Sequence, residues 1–184
     1  MTSSMTTPRY WDQYWKGTEA PNFDLRNPVY QAMHSLFCHV LDAVRSRKKE
    51  QSGIKVMDVG CGTGLLLSYF LEHHPDLEVH GIDNSEAVEI AAALPDAGKR
   101  LKVRRCDLFA PEMKQADAAF DLVVSAGLVE HFASPVEPMR AMCSLLSSVG
   151  CLITIIPNFE GLYAYLWRLY DRENYQKHVP LSRT

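Results

Sequence analysis

The sequence is short of the features that mark several protein classes. It has no apolar run near the roughly 20 residues needed to span a bilayer. Its N-terminus, Met1 to Pro8, is polar and lacks the apolar stretch of a signal peptide. The five cysteines, Cys38, Cys61, Cys106, Cys143 and Cys151, are odd in number and no two stand at CxxC spacing. That pattern argues against a disulfide framework or a zinc site and fits reduced thiols. Charge of one sign is scarce too: the net charge is -3 over 184 residues, with acids and bases interspersed. Without a basic stripe to grip a phosphate backbone, nucleic acid is not an expected partner. The one basic cluster, Arg45 to Lys49, falls where a helix should end, and cations there complement the helix dipole. A cytoplasmic protein with no membrane span is the expectation.

What the chain does have is alternation. Residues 1–8 are expected to be disordered, and 9–26 form an aromatic-rich segment with Tyr10, Trp11, Tyr14 and Trp15. Residues 27–184 read as one domain. Asn27 caps a helix with Pro28 at its first position, and Val29, Met33, Leu36, Phe37, Val40, Leu41 and Val44 make its apolar face. Strands are expected at 54–59, 78–82, 101–105, 120–125 and 151–156. Between them the pattern predicts helices at 65–73, 85–94 and from Ser134 to about Ser147, with a further aromatic helix at 161–171. Regular strand–helix alternation predicts an α/β fold, a doubly wound and mainly parallel sheet. In such a sheet ligands bind beyond the carboxyl ends of the strands, so functional residues should follow each strand directly.

The first strand is followed by Asp58-Val-Gly60-Cys61-Gly62-Thr-Gly64. Glycines let the backbone turn tightly and come close to a ligand, and the next helix offers unpaired N–H groups at the same place. A dinucleotide fold would want GxGxxG, but its third glycine position is Leu65 here, which speaks against a nicotinamide-dependent oxidoreductase. After the second strand, Asp83 lies about 20 residues past the glycines, the separation of a ribose-binding acid, with Asn84 and Ser85 beside it. The other reading of Asp83 is a helix cap. Cys106-Asp107-Leu108 follows the third strand, and Ser125-Ala126-Gly127 with Glu130-His131 follows the fourth.

Together these residues resemble a class I S-adenosylmethionine-dependent methyltransferase of small-molecule type, with DxGxGxG as its first motif. The resemblance covers roughly 56–157 and implies a Rossmann-like methyltransferase fold with S-adenosyl-L-methionine as cofactor. It implies cofactor contacts from Asp58, Gly60, Cys61, Gly62 and Gly64, and from Asp83 and Asn84 at the ribose. Asp107 would meet the adenine, flanked by Cys106 and Leu108, and Ala126 and Gly127 would meet the methionine portion. Tyr10, Trp11, Tyr14 and Trp15 stand where related enzymes place a lid, with Tyr14 and Trp15 expected at the cofactor since aromatic faces attract a sulfonium; ordinary packing of these rings against the core is the other reading. Tyr163, Tyr165, Trp167 and Tyr170 could line an apolar acceptor pocket or be plain core.

The Glu130-His131 pair is similar to the ubiquinone-biosynthesis O-methyltransferase branch, whose ExxEH side chains have been assigned a divalent metal. The first position of that motif is Gly127 here, so no metal is expected. His131 reads either as a general base for a hydroxyl acceptor or as a histidine orienting Glu130. The family normally continues into a sixth and a seventh strand, and 1–184 leaves no segment for them. The expected activity is methyl transfer to a small-molecule acceptor, oxygen ahead of nitrogen or carbon. A non-catalytic domain that only binds the cofactor is the alternative.

Overall fold

The computed structural model describes residues 4–19, 21–48, 53–96, 99–114, 119–158 and 161–178. Five strands, β1 (Ile54–Val59), β2 (Leu77–Asp83), β3 (Leu101–Arg105), β4 (Phe120–Ala126) and β5 (Leu146–Ile155), form one parallel sheet in the order β3-β2-β1-β4-β5. The chain therefore winds outward from β1 to β3, then crosses back to the other side of β1. A crevice opens where the winding reverses.

Side chains alternate across the sheet and give each face its own core. Ile54, Val56, Leu77, Val79, Leu122 and Val124 pack under α2 (Pro28–Arg47), α3 (Leu65–His73) and α4 (Val88–Ala92). Met57, Val59, Ile82 and Val123 pack under α5 (Pro111–Lys114) and α6 (Val136–Cys143). Parallel register sets Val59 beside Ile82 and Asp83 beside Arg105, so the carboxyl ends of the strands finish side by side.

Several boundaries differ from the sequence reading. Of the tail expected to be disordered, residues 1–3 lie outside the described residues, Ser4 bridges Phe132, and α1 (Pro8–Tyr14) already starts at Pro8. The predicted helix over 85–94 is only α4, because the Asp83 side chain holds Ser85 in a turn first. The helix predicted to run to Ser147 stops at Cys143, and Ser134 gives it no side-chain cap. β5 instead starts at Leu146. A Cβ at Gly150 would stand 2.7 Å from the Phe120 carbonyl, so the missing side chain is what lets this strand pass the register irregularity beside Phe120. On α2 the buried line is Phe37, Leu41 and Val44, while Val29 and Leu36 stay exposed. Leu36 precedes Phe37 by one residue, roughly 100° around the helix.

The basic cluster at the end of α2 is more specific than a dipole effect. Arg45 pairs with Asp42 and Asp76, and Lys48 Nζ lies 2.7 Å from the buried Asp121 carboxylate. Two last helices, α7 (Gly161–Tyr170) and α8 (Arg172–Tyr175), follow β5. No helix among the described residues is long and apolar enough to cross a membrane.

Candidate active site

The glycine loop after β1 is built by its own backbone. Gly60 and Cys61 both donate to the Ile82 carbonyl, which ties the loop to the end of β2. Gly64 adopts φ +93°, a left-handed conformation that glycine reaches without strain, and a Cβ there would stand 2.7 Å from Leu94. It starts α3 without any side-chain cap, so the first N–H groups of that helix have no intrahelical partner. Gly62 is also left-handed, at φ +50°, and a Cβ there would meet the Trp15 indole at 3.0 Å. Trp15 therefore lies directly on the loop.

Asp83 closes the same corner. Its Oδ2 accepts from Gly62 N at 2.8 Å, and its Oδ1 accepts from both Ser85 N and Ser85 Oγ. The carboxylate is thus both brace and turn cap. A carboxylate has about four acceptor positions, so three bonds leave room for a ligand donor. Asp58 lies deeper, and burial together with the charge of Asp83 pushes its carboxyl up to about 8. The Cys61 thiol is likewise pushed up by burial.

A cleft runs along the ends of β1, β2, β3 and β4. It is lined by Trp15, Gly60, Asp83, Asn84, Cys106, Asp107, Leu108, Ala126, Gly127 and His131 from the sequence-predicted set. The lining does not include Tyr14, which is 57% exposed, nor Asp58, Cys61, Gly62 and Gly64, which build the loop from behind. Sequence reasoning missed Ser4, Thr6, Phe109, Leu128 and Phe132 on the wall, and treated Trp11 only as a possible lid residue. Phe132 and Leu128 flank Glu130-His131 in sequence and could have been found there. Ser4 and Thr6 carry no such signal.

The N-terminal segment crosses the mouth of this cleft. Met5 N donates to the His131 carbonyl at 2.7 Å, and Trp11 Nε1 donates to Thr6 Oγ1 at 3.1 Å. The Trp11 ring meets His131 edge-on at 4.9 Å. Farther along, Glu86 N donates to Asp12 Oδ1, which fastens α1 to the turn before α4.

Beneath the Met5 and Trp11 contacts stand Glu130 and His131, on a single 3-10 turn, Val129–His131. Glu130 is fully buried, neither carboxylate oxygen has a hydrogen-bond partner, and burial pushes it up to about 7. His131 Nδ1 donates to the Lys177 carbonyl at 3.0 Å; burial, then the nearby His178, pushes this imidazole down to about 4. It is neutral near pH 7, and by itself a weak proton acceptor, which counts against a lone general base. Of the aromatic helix, Trp167 turns inward to His178, whereas Tyr165 and Tyr170 are exposed and are not on the wall of this cleft. The Tyr163 side chain lies outside the described residues.

The state of Asp58 has a measurable consequence. In the unfolded chain an aspartate ionises near its usual value of about 3.9, so unfolding releases a proton that the buried carboxyl holds. Stability should fall as pH rises from about 4 towards 8. Asp58→Asn removes this dependence, so it should gain most over the native chain at pH 8 and little at pH 4, read by urea denaturation. An equal difference at both values would refute the assignment.

A family model described as "Methyltransferase domain" matches residues 57–152, just over half of the chain. A ubiquinone biosynthesis O-methyltransferase from Coxiella burnetii is 30% identical over 142 residues, covering 73% of this chain and 58% of that protein. An (S)-tetrahydroprotoberberine N-methyltransferase from Eschscholzia californica is 29% identical over 141 residues, covering 72% and 38%. The chain thus spans less than two thirds of the length of these curated relatives. Among solved structures, the plantazolicin methyltransferase BpumL in complex with SAH is similar over 95% of this chain and 70% of its own, with a TM-score of 0.59 and 18% identity, a likeness of fold.

Proposed function

Because the chain belongs to the methyltransferase-domain family, we propose that it binds S-adenosyl-L-methionine in this cleft and moves the methyl group to a small-molecule acceptor. The observation that carries the reading is convergence. Four strand ends deliver Gly60, Asp83, Asp107 and Gly127 to one cleft, and Trp15 covers its glycine loop.

The cofactor supplies an activated methyl on a sulfonium, so the protein mainly positions the acceptor and excludes water. Asp83 takes the ribose hydroxyls with its remaining acceptor capacity, a charge-assisted bond, with Asn84 beside it. Asp107 faces the adenine end, flanked by Cys106 and Leu108. The backbone at Ala126 and Gly127 borders the methionine end, and the Trp15 face favours the positive sulfur. His131 stands at the acceptor end and is the only imidazole on the described wall. Oxygen is placed ahead of nitrogen as the methylated atom, by analogy with the Coxiella relative; the Eschscholzia relative keeps nitrogen as the rival. Five free thiols suit a reducing compartment such as the cytoplasm.

The test is a pair of measurements. S-adenosylhomocysteine (SAH) should raise the melting temperature and NAD should not. A panel of phenols, carboxylates and amines should then reveal methyl transfer, which His131→Ala lowers through lost acceptor positioning while keeping the SAH shift. Stabilisation by NAD alone would sink the reading. An SAH shift with no transfer to any acceptor would favour the non-catalytic binding domain.

A further inference from the structure

We propose that residues 4–12 form a self-blocking strap: in the free chain they hold the cleft shut, and the adenosyl ligand enters only after they release. The strap controls access to the cofactor site proposed above and rests on that reading. As it stands, the cleft is too small for its ligand. It encloses about 100 Å³. Sites for small molecules and cofactors run from about 300 Å³ upwards. Part of the wall must therefore move before a molecule as large as SAH fits.

The wall itself tells which part. The strand ends and the glycine loop are braced, because Gly60 and Cys61 donate to the Ile82 carbonyl and Gly62 donates to Asp83. Cys106 and Leu108 belong to the buried core. Ser4, Thr6 and Trp11 come instead from the N-terminal segment. Of residues 4–12 only Thr6 is buried, and α1 has no buried residue at all. A segment with so little buried surface opens locally at small cost.

Polar contacts at three points hold it. Met5 N donates to the His131 carbonyl at 2.7 Å. Tyr10 OH donates to Asn174 Oδ1 at 3.4 Å, and Lys177 Nζ lies 4.5 Å from the centre of the Tyr10 ring. Glu86 N donates to Asp12 Oδ1 at 2.7 Å, beside the turn that Asp83 caps. The first and last of these fasten the strap to two sides of the cleft, the turn after β4 and the turn after β2. Trp15, which rests on Gly62, lies outside the strap.

The sign of the effect separates a strap from an ordinary cover. A cover that only closes over a bound ligand adds contacts to it, and loosening the cover weakens binding. A strap that takes up the ligand's space competes with it. Apparent affinity is then the intrinsic affinity scaled by the fraction of open chains, so loosening the strap tightens binding.

The experiment uses the full chain and two separate variants. Met5→Pro deletes the N–H that reaches the His131 carbonyl, and Asp12→Ala deletes the acceptor of Glu86 N. Neither residue lines the cleft. SAH affinity is read by isothermal titration and the association rate by stopped-flow tryptophan fluorescence. A neutral hydrogen bond shifts an equilibrium roughly two- to tenfold, and one to a carboxylate about tenfold or more. SAH should bind Met5→Pro roughly two- to tenfold more tightly than the native chain, and Asp12→Ala about tenfold more tightly, with the gain in the association rate. Damage to the fold lowers affinity, so it does not produce a gain. SAH binding to the native chain with affinity at or below native in both variants would overturn the strap and leave the cofactor reading standing. No SAH binding by any of the three chains would overturn both.

Discussion

Asp83→Ala should bind SAH roughly 100-fold or more weakly than the native chain. Hydrogen bonds to a charged group contribute about 1.5–3 kcal/mol each, and a factor of ten in affinity is about 1.4 kcal/mol. Losing the bonds to a ribose diol alone meets that figure. The substitution also removes the acceptor for Gly62 N and for Ser85, so the glycine loop loses its brace at the same time. Asp83→Asn is the informative partner. It keeps one oxygen for the loop but lacks the charge, so it should fall between the two in isothermal titration. Affinity of Asp83→Ala within threefold of native would mean that the ligand does not lie where these four strands end.

Lys48→Ala should destabilise the fold by about 3–5 kcal/mol in urea denaturation, at a site remote from the cleft. Asp121 is buried and Lys48 is its only charged partner among the described residues. Without Lys48 the carboxylate keeps just Lys55 N–H and the Ser147 hydroxyl. A buried charge stripped of its counter-ion costs far more than an exposed pair contributes. The double change with Asp121→Asn should recover much of the loss, because the charge that needed a partner has gone. This pair sits at the amino ends of β1 and β4, away from the cleft. SAH affinity of the folded Lys48→Ala protein should therefore be unchanged, and a loss below 1 kcal/mol would refute the account.

Much of this arrangement was legible in the residue order. Strands such as 54–59 and 120–125 carry either alternation or a continuous apolar run, and both patterns survive tertiary packing. The rule that ligands sit beyond strand ends then led to Asp83, Asp107 and Gly127 without any contact information. What escaped had non-local causes. Ser147 reads as the end of a helix and Gly150 as a linker residue, yet both belong to β5 because Ser147 meets Asp121 and Gly150 passes the Phe120 carbonyl. Ser4 and Thr6 look like a polar tail, yet they line the cleft because Met5 pairs with the His131 backbone. Nothing near either residue in sequence announces its partner. Tyr14 shows the converse limit: a local cluster of rings does not reveal which ring turns inward.

The chain contains three tryptophans, and the positions of two of them follow from features already described. Trp15 rests on the Gly62 backbone and Trp11 on His131, so both indoles border the cleft. Trp167 instead stands against Tyr175 and His178. Indole emission depends on the polarity and mobility around the ring. The protein thus carries its own optical probe: ultraviolet fluorescence excited near the red edge should change when the cleft fills, and Trp15→Phe should remove most of that response without any added dye.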